Sequence, residues 1–307
     1  MIRPSRAQGR AGTDDPVQAR CEVLARRREG AYWLLSLAAP EIAERARAGQ
    51  FVNLAVDAPH TLLRRPFSIA RVSQQGIAAG TVDVVFNAEG PGTTWLTTLD
   101  AHDVIDVVGP LGTPFPIPQR KVSCLLVGGG YGVAPLLYLA EELTRRGLRV
   151  DMIVGARDQA RILSPIDAKR LTASVTFTTE DGSYGEHGRV TDVLDEAVQR
   201  CGSGVVYACG PNPMLRAVSE RCAQLKLPVQ VAVEEYMACG IGVCFSCVLP
   251  IRTKDGTVHN RRACIEGPVF NGARIAWERT RYAGASPALN ELEPAEAVID
   301  PQPWGQP

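Results

Sequence analysis

The periodicity of this 307-residue chain changes character near residue 120, and that change limits the folds open to it. Before it, short apolar segments alternate with turn residues: CEVLARR, AYWLLSLA, FVNLAV, PFSIARV, TVDVVFNAE and DVIDVVG. About six strands at this spacing predict a small antiparallel β-barrel. One short helix is expected at PGTTWLTTL, where proline follows glycine as it does at a helix start. After the change, KVSCLLVGGG is a buried strand running into glycines, and VAPLLYLAEELTRRG has helical periodicity ending in glycine. Strands RVDMIVGA and SVTFTTE, helix RVTDVLDEAVQR, strand GVVYACG, helix PMLRAVSERCAQL and strand VQVAVEE follow. Such alternation means βα units and a doubly wound parallel sheet.

A chain of this length exceeds what one hydrophobic core usually serves, so two or three domains are expected. The pattern divides into a disordered lead-in over 1–16, a β-barrel over 17–118, an α/β domain over 119–235, a cysteine segment over 236–277 and a loose tail over 278–307. Lysine plus arginine equals aspartate plus glutamate, 33 each, so net charge does not favour polyanions. No apolar run reaches the roughly 18 residues of a membrane span. The N-terminus has no apolar core of a secretory signal, so the cytoplasm is the expected location and the thiols are expected to be reduced.

Under those conditions the cysteine segment, EEYMACGIGVCFSCVLPIRTKDGTVHNRRACIEGPVF, reads as a metal site. It holds Cys239, Cys244, Cys247 and Cys264, four of the nine cysteines. Their C-x4-C-x2-C…C spacing is that of plant-type [2Fe–2S] sites, where four thiolates ligate two irons. Gly240 and Gly242 allow the loop to wrap round the cluster with its amides directed at sulfur. The alternative is a structural zinc, although zinc sites usually use paired C-x2-C knuckles and one pair here has that spacing.

Two further signals concern nucleotides. Gly128, Gly129, Gly130 and Gly132 lie between a strand and a helix, where backbone amides can meet a pyrophosphate. Cys209, Gly210 and Pro211 end a later strand at the carboxyl edge, where open α/β sheets bind ligands. Together they point to a nicotinamide site. In LLRRPFSIA, Arg65 offers a fork of donors to a pyrophosphate and Ser68 a hydroxyl to a flavin ring edge. In NAEGPGTTWL, Gly92 and Thr93 begin the short helix, whose free amides suit a phosphate. The four histidines (60, 102, 187 and 259) are scattered and form no constellation.

The motifs RPFS, EGPGT, GGGYGVAPL, EDGSYGEHGRVTD, CGPNPM and MACGIGVCFSC…CIEGPVF occur in that order. In this the chain resembles the electron-transfer subunits of two-subunit, NAD-linked dihydroorotate dehydrogenases, of the ferredoxin reductase-like superfamily, over about residues 18–277. The resemblance implies that Arg65, Pro66, Phe67 and Ser68 contact FAD, together with Val85, Phe86 and Asn87, and that Gly92 and Thr93 hold its pyrophosphate. It implies that Cys239, Cys244, Cys247 and Cys264 bind the cluster. It also implies electron flow from an FMN-containing dihydroorotate dehydrogenase partner, in a heterotetramer of two plus two, to NAD for pyrimidine synthesis. The general reductase pattern has tyrosine where Phe67 stands. A reductase serving an oxygenase, a hydrogenase or a transhydrogenase-like complex shares much of this architecture. Full ferredoxin domains place the fourth cysteine considerably later, whereas sixteen residues separate Cys247 from Cys264 here. Arg157 and Arg161 leave NADP open beside NAD.

Overall fold

The computed structural model describes residues 15–74 and 79–280; most of the expected lead-in and tail lies outside them. The first part is β1 (Val17–Glu29), β2 (Tyr32–Ala38), α1 (Pro40–Arg45), β3 (Phe51–Leu54), β4 (Arg65–Ser73), β5 (Thr81–Phe86), α2 (Pro91–Leu96) and β6 (Val104–Leu111). The strands run antiparallel in the order β1-β2-β5-β4-β3-β6, and β6 returns to β1 to close the barrel. Closure leaves no unpaired strand edge. Its filling comes from strand residues such as Val23, Leu35, Leu37, Leu54, Ile69 and Val84, all at or below 1% exposure.

The second part is β7 (Ser123–Gly129), α3 (Val133–Arg145), β8 (Val150–Ala156), α4 (Pro165–Leu171), β9 (Ser174–Thr179), β10 (Glu186–His187), α5 (Leu194–Cys201), β11 (Ser203–Cys209), α6 (Asn212–Gln224) and β12 (Val229–Ala232). These strands form a parallel sheet in the order β10-β9-β8-β7-β11-β12. The helix expected over RVTDVLDEAVQR begins only at Leu194. The Asp192 carboxylate accepts the Arg189 amide at 2.7 Å, and this local bond holds the preceding residues in turns.

In α3, Leu136, Leu139, Ala140 and Leu143 recur at helical spacing and are fully buried. Each leucine contributes roughly 2 kcal/mol by leaving water. They join one apolar cluster that runs without a break from barrel residues such as Leu35, Ile42 and Ile69 into the sheet at Leu126 and Val154. Two tyrosines fasten the same junction: Tyr138 donates to the Ala46 carbonyl at 2.9 Å and Tyr207 to that of Pro116 at 2.7 Å.

The cysteine segment adds a hairpin, β13 (Val248–Arg252) with β14 (Val258–Arg262), and a last strand, β15 (Val269–Asn271). β15 pairs antiparallel with β12 and so becomes the seventh strand of the parallel sheet. Just before it, the Gly267 carbonyl accepts the Thr113 amide at 2.5 Å and the Pro268 carbonyl accepts that of Val233 at 2.9 Å. The packing there is close, since a β-carbon on Gly112 would stand 2.6 Å from Pro268 Cδ. The GPVF stretch is therefore wedged between barrel and sheet and holds the cysteine segment to both.

Candidate functional site

The cluster loop leaves β12 and returns into β13. Its two glycines adopt left-handed backbone, Gly240 at φ 70° and Gly242 at φ 85°. That path turns the amides of Ile241, Val243 and Cys244 onto the Cys239 sulfur at 3.5, 3.4 and 3.5 Å. The sulfurs are thiols here and stand for the thiolates of a loaded site. Cys239 interacts with Cys244, and Cys247 with Cys264. Among the described residues no three His, Cys, Asp or Glu side chains converge on a single ion. Cys264 also feels Cys239, so the four thiols form one interacting group, the donor number of a two-iron cluster in which each iron takes two thiolates. The Ser246 hydroxyl, 3.1 Å from Cys244, brings that exposed thiol down to about 6, while burial pushes Cys264 up to about 12. Donor chemistry and amide cradle thus fit an iron–sulfur cluster.

Arg262, at the end of β14, holds the loop from behind. It donates to the Gly242 carbonyl at 2.9 Å, lies 4.9 Å over the Phe245 ring and pairs with Glu266. Phe245 needs such support because it sits at φ 57°, an unfavourable conformation for a bulky residue. Around the cysteines, Tyr236, Ile241, Val243, Phe245 and Ile265 expose large apolar surfaces.

The flavin motifs meet on the barrel wall. Arg65 and Gly92 lie together, since a β-carbon on Gly92 would stand 3.0 Å from Arg65 Nε. Arg65 also donates to the Leu63 carbonyl at 2.7 Å. Pro66 is half-buried and Ser68 exposed beside it on β4. Phe67 packs on Phe86 with ring centres 5.5 Å apart. Val85 and Phe86 are buried, and Asn87 donates to the Glu89 carboxylate at 2.8 Å. The Thr93 hydroxyl accepts the Glu89 and Gly90 amides at 3.0 Å. It is therefore occupied in capping α2, and what Thr93 can offer a phosphate is its backbone N–H.

The two nicotinamide motifs form one packed junction at the carboxyl edge of the sheet. Gly128 on β7 pairs with Cys209 on β11. A β-carbon on Gly132 would stand 2.6 Å from the Cys209 carbonyl, and one on Gly129 3.1 Å from Pro211. Gly210, at φ 154°, approaches Gly129 as closely. Gly130 takes φ 56° beside the Tyr32 hydroxyl, which brings the barrel to the turn. Burial and nearby Glu234 push the Cys209 thiol up to about 12, so it is neutral. Asn212, next to Pro211, keeps a buried Oδ1 with no hydrogen-bond partner among the described residues, an acceptor suited to a ligand's donor. Arg161 is paired with Asp158.

Two contributors carried no motif in the sequence, Arg262 and Asn53, which donates to the Cys239 carbonyl at 3.0 Å; Tyr131 and Asn212 lie within the quoted motifs but were not singled out. Tyr131 stacks edge-on with Tyr32 at 5.9 Å and donates to Glu234. The signal for Tyr131 and Asn212 was adjacency to the glycine turn and to CGP. Asn53 and Arg262 act across long sequence separations and left none.

The family described as the iron–sulfur cluster binding domain of dihydroorotate dehydrogenase B matches residues 234–276, and the oxidoreductase NAD-binding domain matches 126–220. The dihydroorotate dehydrogenase B (NAD(+)) electron transfer subunit of Geobacillus thermodenitrificans is 38% identical, covering 78% of this chain and 91% of its own. The chain belongs to this family. Its counterpart from Desulforamulus reducens is 36% identical over 78% of this chain and 90% of its own. A solved NADH-dependent reduced ferredoxin-NADP oxidoreductase, studied for flavin-based electron bifurcation, superposes with a TM-score of 0.74 at 28% identity, covering 85% of this chain and 91% of its own. The chain is an oxidoreductase of the ferredoxin reductase-like fold, and its cofactors are an iron–sulfur cluster, FAD and NAD. No helix of the described residues is long and apolar enough to cross a membrane.

Proposed function

We propose that this chain relays electrons between an FMN-containing dihydroorotate dehydrogenase subunit and NAD, in a cytoplasmic heterotetramer of two plus two that serves pyrimidine synthesis. The observation that carries the reading is the cluster loop, where an amide cradle and paired thiols stand inside an exposed apolar rim. When bound, NAD exchanges a hydride, FAD handles electrons in pairs or singly, and the cluster takes one. Cys239, Cys244, Cys247 and Cys264 hold the cluster. Arg65 with the Gly92 and Thr93 amides would hold the flavin pyrophosphate, and Phe67 would offer the flavin an aromatic side chain without the hydroxyl a tyrosine would bring. Ser68, Pro66, Val85, Phe86 and Asn87 line the same wall. Gly128 to Gly132 and Cys209 to Pro211 hold NAD, and the Asp158 carboxylate that occupies Arg161 favours it over NADP.

The rim of Ile241, Val243, Phe245 and Ile265 is the face we assign to the catalytic subunit. Such surface is costly to leave in water and marks contact sites.

A second reading draws on the 28% identical NADH-dependent reduced ferredoxin-NADP oxidoreductase, in which this chain would serve a transhydrogenase-like complex. Anaerobic purification of the tagged chain from its host, with mass spectrometry of what accompanies it, separates the two. Recovery of an FMN-containing dihydroorotate dehydrogenase in equal amount is the expected result. A different redox partner would overturn the assignment while leaving the cofactors in place.

A further inference from the structure

Asn53 stands in the barrel wall on β3, 1% exposed, and its carboxamide points out of the barrel toward the cluster loop. Its Nδ2 donates to the Cys239 carbonyl at 3.0 Å, across 186 residues of chain. Its Oδ1 is buried with no hydrogen-bond partner among the described residues. The loop fits closely round this side chain, since a β-carbon on Gly240 would stand 2.5 Å from Nδ2.

On the other side, β3 pairs with β4. Asn53 lies opposite Pro66, flanked by the pairs Phe51–Ser68, Val52–Phe67 and Leu54–Arg65. One residue therefore holds the carbonyl of Cys239 and is one hydrogen-bonded strand away from the RPFS part of the flavin wall. A purely structural position is a poor explanation for this amide. A desolvated, unpartnered oxygen is destabilising, and an apolar side chain of the same branching would avoid that cost. The property an apolar residue lacks is the bond to Cys239.

We propose that Asn53 is a positioning residue: it fixes the cluster loop against the flavin strand and so sets how fast electrons pass between flavin and cluster. The proposal rests on the function proposed above, taken with FAD, which handles electrons in pairs or singly, between the hydride carrier NAD and the one-electron cluster.

The test uses Asn53→Leu and Asn53→Asp in the complex purified with its cofactors in place. Stopped-flow absorbance follows bleaching of flavin and then of cluster after NADH is added, and electron paramagnetic resonance reads the reduced cluster. In both variants the rate of cluster bleaching relative to flavin bleaching should fall by about tenfold or more, the scale on which small misplacements act. The cluster's g-values should shift, more so in Asn53→Asp, where a carboxylate faces the Cys239 carbonyl. A merely structural role would not move g-values in chains that retain their iron. If the relative rate and g-values match those of the unaltered complex, the proposal is wrong. It is also wrong if Asn53→Leu lowers the unfolding temperature and sheds iron, because the role would then be structural. Should NADH bleach the flavin but never the cluster in the unaltered complex, the carrier order itself falls and takes this proposal with it.

Discussion

Two glycine-rich loops serve this chain; glycine permits close approach in both, and in one of them it also directs amides. In the nucleotide turn, Gly129 and Gly132 are needed because other atoms already lie where a side chain would be: Gly132 faces the Cys209 backbone carbonyl, and Gly129 faces the side chains of Pro211 and Met214. Most of that turn is closed, and its residues belong to the packing of sheet and helices. In the cluster loop, Gly240 and Gly242 are needed for left-handed dihedrals that turn three amides onto one sulfur. That loop stays open, with apolar side chains facing outward between the cysteines. Close approach and amide direction are separate uses of the same missing β-carbon. The first supports the fold and the second a cofactor.

The largest effect that would sharpen this contrast is expected from Cys247→Ser. Iron content should fall to near zero and transfer to the partner should be lost. Flavin content and NADH oxidation by artificial acceptors should persist, because the barrel and nucleotide turn do not depend on the loop. Metal analysis with an NADH–ferricyanide assay checks this; loss of the flavin as well would join the two regions that the contrast separates.

Gly132→Ala should do the opposite. Overpacking against the Cys209 carbonyl should destabilise the whole chain by about 1–3 kcal/mol, measured by thermal unfolding, and weaken NADH binding before it affects iron. An alanine tolerated there with unchanged stability would show that the turn relaxes and that close approach is not its constraint.

A smaller effect is expected from Arg262→Ala, which removes the stacking on Phe245 and the bond to Gly242. The loss should be about 1 kcal/mol, visible as faster iron release to a chelator with little change in global unfolding. The smallest concerns Cys209. With its thiol held near 12 by burial, the neutral form prevails from pH 7 to 9, so alkylation of Cys209 in the folded protein should stay slow throughout and climb about tenfold per pH unit with no plateau. A rate that levels off by pH 9 would mean an ordinary thiol, and so a carboxyl edge of the sheet far more open than this structure.

The barrel, the parallel sheet and the presence of an iron–sulfur segment were legible because each rests on local pattern: alternation between turns, strand–glycine–helix sequence, and thiol spacing. The start of α5 was misread because Asp192 satisfies a backbone amide locally, a choice that helical periodicity does not record. α1, α4, the β13–β14 hairpin and β15 went unseen; GPVF carries too little periodicity to announce that it pairs with β12. Asn53 and Arg262 were invisible for a related reason. An asparagine in FVNL and an arginine in NRRAC look like ordinary polar residues until the fold brings each to a carbonyl of the cluster loop.

β15 also has a consequence for the life of the chain outside any redox reaction. Without Val269–Asn271, the amides and carbonyls along one side of β12 would stand unpaired beside an apolar face, a template for the matching strand of another molecule. The segment that carries the cluster is thereby also the guard of the sheet. A truncation that removes it should give a protein that sticks to itself, and a lineage that discarded the cysteines would still be under pressure to keep the strand that follows them.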